Sequence, residues 1–169
     1  AYNPVVAVGA SGYPVVAWLQ DSLTGTWVRA ATYNGSQWVG LGASLTNQVP
    51  GSWVAANVDM IVDSIGRVVI AWEELTTQRV KVQRWNGSTW SDLGSVGNAP
   101  YAGMPRLAVG ANGDFYIAWQ QTPNGDIPTQ NFYYQVYAMR NVGGVFSQFG
   151  SSATHPGVSG ATNVSSEAL

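Results

Sequence analysis

The sequence contains no cysteine and one histidine, His155. The absence of cysteine excludes disulfide bonds and thiolate metal sites. A single histidine does not supply the ligand set of a structural or catalytic zinc site. Two oxygen-rich turns, 112–114 and 124–126, are explained by ordinary turn chemistry, because calcium needs more oxygen ligands than they carry. We therefore predict no metal ion and no cofactor.

Charged residues are also scarce, at 9% of the chain, with a net charge of −2. An average soluble domain has roughly 25%. Nothing in this balance favours nucleic acid or an anionic membrane, and no run approaches the roughly 20 apolar residues of a membrane span. We predict no nucleic-acid partner and no membrane insertion. A surface made polar by uncharged residues is typical of extracellular proteins, which favours a secreted or cell-surface location.

The chain lacks a recognisable catalytic set. Glycosidases need two carboxylates roughly 5 to 10 Å apart. Glu73 and Glu74 are adjacent on a predicted strand end, so their side chains should point to opposite faces as solvated charges. His155 has no Gly-x-Ser-x-Gly nucleophile elbow to serve. The sequence predicts no catalytic residue and no enzyme, and a glycoside-hydrolase-like activity is a distant third hypothesis.

An Ala-Trp dipeptide occurs three times and ends at Trp18, Trp72 and Trp119, with spacings of 54 and 47 residues. A glycine stands six residues before each tryptophan, and apolar runs flank each glycine. Two strand-like runs around a glycine-bearing turn predict a β-hairpin. The sequence therefore contains three copies of one hairpin.

A second hairpin follows each first one. Its turn is Asn34-Gly35-Ser36 before Trp38 in the first copy and Asn86-Gly87-Ser88 before Trp90 in the second, while Phe146 replaces the tryptophan in the third. No segment has a helical period. Four antiparallel strands repeated at about fifty residues predict an all-β fold of β-propeller-type blades. A β-sandwich rarely repeats in this way, and a β-helix needs much shorter coils.

The repeat divides the chain into three blades at 1–52, 53–103 and 104–158, followed by 159–169 as the lead-in strand of a further blade or an exchanged strand. Three blades do not close a ring, because natural propellers have roughly four to eight. We interpret the chain, which does not begin with Met, as a mature chain or a fragment. Self-association or a missing chain continuation is expected, and a closed ring and a filament both remain open.

The pattern Asn-Gly-x-x-Trp-x-x-Leu-Gly, followed by the Ala-Trp hairpin, resembles the blades of bacterial secreted β-propeller repeat proteins. It is also similar to blades of the sialidase and kelch superfamilies. The resemblance covers nearly the whole chain and implies a propeller fold. The Asp-box of sialidases has an aspartate where this chain has Asn34 and Asn86.

Aromatic residues are abundant, with eight tryptophans and eight tyrosines. Those at fixed blade positions are predicted to form the structural core, by packing between blades: Trp18, Trp38, Trp72, Trp90, Trp119 and Phe146. The less regular ones are candidate ligand-binding residues: Trp27, Trp53, Tyr101, Tyr133 and Tyr134.

Two function classes follow from these features. The main interpretation is a non-catalytic structural or adhesive module that self-assembles or belongs to a larger surface protein. The alternative is a lectin that stacks exposed aromatic side chains on a glycan.

Overall fold

The computed structural model describes residues 1–23, 25–42, 55–98, 101–122, 134–154 and 157–159. Within these ranges the protein is all-β, with three four-stranded antiparallel sheets and no helix. It follows that the described ranges hold no helix able to span a membrane. Trp53, Tyr133, His155 and most of the predicted lead-in strand lie outside the described residues.

Each sheet is built from strands that pair in chain order. The first sheet contains β1 (Tyr2–Val8), β2 (Pro14–Ser22), β3 (Gly25–Tyr33) and β4 (Trp38–Gly40). The middle sheet contains β5 (Ala55–Val62), β6 (Val68–Glu74), β7 (Arg79–Trp85) and β8 (Trp90–Val96). The third contains β9 (Ala102–Val109), β10 (Phe115–Gln121), β11 (Gln135–Val142) and β12 (Val145–Gln148). β9 begins slightly before the predicted limit at 104.

The predicted hairpins are confirmed. β1 pairs with β2, β5 with β6 and β9 with β10, each around the predicted glycine turn. The side-chain Oδ1 of Asn86 accepts hydrogen bonds from the backbone N–H groups of Ser88 and Thr89, at 3.0 and 2.9 Å. Gly87 has a φ of 103°, a conformation that glycine adopts without steric cost. The Asn34 turn has the same hydrogen bonds.

The core lies in two layers, one on each side of the middle sheet. Val68, Ile70 and Trp72 of β6 belong to the cluster shared with the first sheet. Val69 and Ala71, which alternate with them, belong to the cluster shared with the third sheet. Because both faces of β6 are buried, its sequence is apolar without alternation.

The outer sheets have one covered face each. In β2, Val15, Ala17 and Leu19 pack toward the middle sheet, whereas the residues between them are only half-buried. In β10, Phe115 and Ile117 pack toward the middle sheet, and Tyr116 between them is exposed. Period-2 alternation in these strands therefore reports which side of the sheet is covered.

The predicted core tryptophans divide according to this layering. Trp72 and Trp119 are 1% and 2% exposed, which confirms them as core. Trp90 and Phe146 are partly buried and pack against the two clusters. The prediction is wrong for Trp38, which is 54% exposed.

Trp18 is half-buried rather than part of the core. The incomplete burial of Trp18 and the exposure of Trp38 have the same cause. Both side chains project from the face of the first sheet that points away from the middle sheet. Their repeat equivalents, Trp72 and Trp90, project from the same face of the middle sheet and meet the first sheet there.

Candidate functional site

A cleft of about 410 Å³ lies between the first and middle sheets. This volume is within the range of small-ligand sites, roughly 300 to 1,000 Å³. The cleft opens at the end of the sheets that carries the glycine turns. Its lining includes Ser11, Val15, Thr32 and Leu41 from the first sheet and its turns, and Ile65, Val68, Trp85 and Asn86 from the middle sheet and its turns.

Trp85 supplies the aromatic wall of the cleft. It is the last residue of β7 and pairs across the Asn86 turn with Trp90, with ring centroids 5.2 Å apart and planes inclined at 53°. Alternation along β7 directs Val80 and Val82 toward the third sheet, so Trp85 faces the first sheet. The turn therefore fixes the position of the indole at the mouth of the cleft.

Trp90 is anchored to the first sheet. Its indole Nε1 donates a hydrogen bond to the backbone carbonyl of Leu41. Gly42 allows this approach, because a β-carbon at this position would lie 3.2 Å from Nε1 of Trp90. Because Trp90 is held in this way, its indole ring packs against the Trp85 ring and stabilises the position of Trp85.

The polar side chains of the cleft are the hydroxyls of Ser11 and Thr32, the amide of Asn86 and the guanidinium of Arg67. The Thr32 hydroxyl makes two long contacts, 3.4 Å to the carbonyl of Pro14 and 3.5 Å to that of Tyr33. Ser11 lies on the exposed turn at the mouth. The indole N–H of Trp85 donates no hydrogen bond to any of the described residues. An apolar face beside a few hydroxyl and N–H groups can receive a molecule that is apolar on one side and hydroxylated on the other.

Arg67, the charged residue of this cleft, also connects the middle sheet to the third sheet. Nε of Arg67 lies 2.8 Å from Oδ2 of Asp63, and Nη2 donates to the carbonyl of Gly113 at 3.0 Å. The N–H of Gly113 donates to the Ser64 hydroxyl at 2.7 Å. Burial, together with the positive charge of Arg67, lowers the pKa of Arg84. These groups join two turns, which is a structural role.

Two of the predicted ligand-binding residues come together elsewhere. Tyr101 and Tyr134 have ring centroids 5.5 Å apart at the opposite end of the middle and third sheets. The Tyr101 hydroxyl donates to Oε2 of Glu73 at 3.0 Å, and the Asn57 amide donates to the same oxygen at 2.7 Å. Burial and the nearby Glu73 carboxylate raise the pKa of Tyr101.

Glu73 corrects a sequence-based expectation. It is buried, not solvated, because β6 is covered on both faces and the side chain meets Tyr101 from the third sheet. A β-carbon at Gly103 would overlap its carboxylate. Glu74, on the alternate face, accepts a hydrogen bond from Thr77 at an exposed position.

Trp27 was predicted to bind a ligand, but its side chain is buried and does not offer a surface to a ligand. It is 4% exposed, its Nε1 donates to the Ser22 hydroxyl at 3.0 Å, and the guanidinium of Arg29 lies 6.0 Å from its ring centroid. Tyr134 is exposed, whereas Trp53 and Tyr133 lie outside the described residues.

Trp85 is the residue that sequence reasoning missed. A signal was present, because an aromatic residue precedes the Asn-Gly-Ser turn in the first two copies, as Tyr33 and Trp85. Only the packing of two sheets shows that Trp85 borders a cleft while Tyr33 faces outward.

A second cleft, of about 420 Å³, lies along the first strands of the three sheets and is bordered by Asn3, Asn57, Asp59 and Arg106. Asp59 is already engaged, since its two carboxylate oxygens accept from the N–H groups of Met60 and Leu107 at 2.9 and 2.7 Å. Asp59 therefore joins β5 to β9 at this cleft. Nowhere in the described ranges do three or more His, Cys, Asp or Glu residues gather as metal ligands would.

Comparison with known proteins adds a structural likeness. No family model and no curated protein matches the sequence. The structure is similar to that of a fucose lectin from Kordia zhangzhouensis in complex with methyl-fucoside, with a TM-score of 0.51 and 18% sequence identity. The match covers 87% of this chain and 97% of that chain. At this identity the likeness shows the fold alone, which is all-β in this chain.

Proposed function

We propose that this protein is a carbohydrate-binding protein whose three sheets are consecutive β-propeller blades, and that a sugar binds in the Trp85 cleft. The observation that carries the proposal is the cleft itself: an indole held at the mouth of an inter-sheet cavity, in a fold similar to that of a fucose lectin. This favours the lectin hypothesis over a purely structural or adhesive module.

The arrangement of the first strands supports the propeller geometry. β5 packs against β1 on one side and against β9 on the other. The N–H of Leu107 in β9 donates to Asp59 in β5, which fixes two of these strands together. In a β-propeller the sheets are arranged around a central axis, and contacts between the first strands of neighbouring sheets support this arrangement.

The cleft would hold a sugar by two kinds of contact. The apolar face of the ring stacks on the indole of Trp85, while ring hydroxyls bond to Ser11, Thr32 and the indole N–H. Few polar contacts and an open mouth predict weak binding of a monosaccharide, with a Kd of about 1 mM, or roughly −4 kcal/mol. The described lining includes no carboxylate, so we propose binding without glycoside cleavage.

The test is a calorimetric or NMR titration with methyl-fucoside and a panel of other methyl glycosides. Trp85→Ala should abolish binding of the glycoside that the wild type binds, and Trp85→Phe should retain part of it. Tyr134→Ala, at the tyrosine pair, is the matched control and should bind as the wild type does.

Each result decides between sites. Loss of binding in Tyr134→Ala with normal binding in Trp85→Ala would assign the site to the tyrosine pair instead. No binding of any glycoside by the wild type would overturn the proposed function.

A further inference from the structure

The two outermost sheet faces are apolar, and nothing covers them among the residues that the structure describes. On the first sheet, Val6, Val8 and Trp38 are exposed, and Tyr33 links Tyr13 to Trp38 by ring contacts with centroids 5.7 Å apart. We call this surface the leading face. On the third sheet, Tyr116, Val136, Val145 and Phe149 are exposed. We call this surface the trailing face.

The internal repeat shows what covers a leading face. Trp72 and Trp119, on the leading faces of the middle and third sheets, are buried against the preceding sheet. Trp18 is their equivalent on the first sheet, where no preceding sheet is present in the described residues. An apolar groove of about 300 Å³, bordered by Tyr2, Val16 and Trp18, remains there.

The repeat also shows what covers a trailing face. Val15 and Val69 stand three residues before the repeated tryptophan and are buried against the following sheet. Tyr116 is their equivalent in the third sheet and is 44% exposed. Val28 and Val80 are buried in the same way, and their equivalent, Val136, is 40% exposed.

From these equivalences we infer that the leading face of one copy docks on the trailing face of a second copy, in the geometry already present twice within the chain. The occupant follows from the repeat, because each covered leading face in this molecule meets the trailing face of another unit. The trailing face left uncovered among the described residues belongs to the third sheet.

One contact can be specified. Trp90 donates its indole N–H to the backbone of Leu41, which precedes Gly42 at the end of the first sheet. The equivalent of Leu41 in the third sheet is Phe149, before Gly150. Trp38 of one copy should therefore reach the backbone near Phe149 of the second copy.

The joint is heterologous, since two different faces meet. Such a contact either closes a ring or continues as a filament. Two copies give six sheets, within the natural range of roughly four to eight blades.

Paired interface variants test this inference. Trp38→Glu places a charge on the leading face, and Tyr116→Glu places one on the trailing face; both sites are already exposed, so the chain should still fold. Leu23→Glu, at the fully exposed position that follows β2, is the matched control. The measurement is sedimentation or light scattering of the full chain at tens of micromolar.

Wild type and Leu23→Glu should have at least twice the monomer mass of 18.0 kDa. Each interface variant alone should be monomeric, and an equimolar mixture should recover a species of twice that mass, because each chain keeps one intact face. A monomeric wild type would overturn the inference, because the two faces would then not join two copies. Assembly of either variant alone, or no recovery on mixing, would overturn it as well. None of these outcomes depends on glycan binding.

Discussion

The middle sheet is buried on both faces, whereas the first and third sheets are each buried on one. The repeat places the same residue type in both environments, as with Trp72 in the middle sheet and Trp18 in the first. The two tryptophans stand at the same register of the same hairpin, yet one is core and the other is half-exposed. The difference comes from the neighbouring sheet and not from the local sequence.

Acidic side chains also differ between the middle sheet and the first sheet. In the middle sheet the residue after the repeated tryptophan is Glu73. It is buried, and its carboxylate accepts hydrogen bonds from Asn57 and Tyr101. In the first sheet, by contrast, Asp21 is exposed, and it accepts hydrogen bonds from the hydroxyls of Tyr2 at 3.3 Å and Thr26 at 2.9 Å. A carboxylate buried in the middle sheet needs such donors, because burying an unpaired charge is costly.

The largest expected effect separates the two tryptophans. In the Tyr116→Glu background, in which no second copy should cover the leading face, Trp72→Ala should cost about 3–5 kcal/mol of unfolding free energy, as for a core aromatic. Trp18→Ala should cost about 1 kcal/mol, as for a partly exposed side chain. Urea titrations of both variants measure the difference. Equal losses would contradict the layered core.

A smaller effect is expected at the hydrogen bond to Glu73. Tyr101→Phe should cost about 1–2 kcal/mol, because a buried carboxylate loses a donor. The matched variant in the first sheet, Tyr2→Phe, should change stability by less than about 0.5 kcal/mol. If Tyr2→Phe lowered the free energy of unfolding as much as Tyr101→Phe does, burial would not explain the difference between the Tyr101–Glu73 and Tyr2–Asp21 hydrogen bonds.

Tyr101 also makes a pH-dependent contribution. Its pKa is raised by burial and by Glu73, so the folded protein keeps the phenol proton more tightly than the unfolded chain does. The contribution is present below the ordinary tyrosine pKa of about 10 and is lost as the pH rises further, toward the folded-state pKa. Wild-type stability should therefore fall at alkaline pH more steeply than that of Tyr101→Phe, as denaturant titrations at several pH values would show.

The smallest effect is expected at the surface of the middle sheet. Nζ of Lys81 lies 2.7 Å from Oδ2 of Asp92. Burial opposes ionisation of Asp92, but the hydrogen bonds from Lys81 and from the N–H of Gly94 outweigh it, so its pKa is lowered. Asp92→Asn should cost about 0.2–1 kcal/mol near neutral pH, as for other exposed pairs.

The stabilisation from Asp92 should depend on pH. Because the folded-state pKa of Asp92 is lowered, its stabilisation is present above the ordinary aspartate pKa of about 4 and disappears as the pH falls through the folded value. The stability difference between wild type and Asp92→Asn should therefore shrink in acid. A difference that stays constant would assign the loss to packing.

Local signals made much of the fold predictable. The glycine and Asn-Gly turns require positive φ angles, and the apolar runs beside them have strand periodicity, so hairpins follow from a few adjacent residues. Burial of Trp38 was predicted wrongly because it depends on a neighbouring sheet, and no sheet covers Trp38 in the part of the chain that the structure describes. Burial of Glu73 was missed for a related reason, since Tyr101 reaches it from another sheet.

The candidate site was less predictable than the fold. Tyr101 and Tyr134 were chosen for their irregular spacing and do lie together, but Trp85 was not among the candidates. A binding cleft between sheets depends on how two units meet, and a single unit carries no signal for it.

The most direct test of the proposed sugar site is the indole N–H signal of Trp85 in ¹H–¹⁵N NMR spectra, assigned by its absence in Trp85→Phe. Titration with methyl-fucoside, or with whichever methyl glycoside binds, should shift this signal to saturation and leave those of the buried Trp72 and Trp119 nearly unchanged. A bound glycoside that leaves the Trp85 signal in place would contradict the assignment of the site to the cleft between the first and middle sheets.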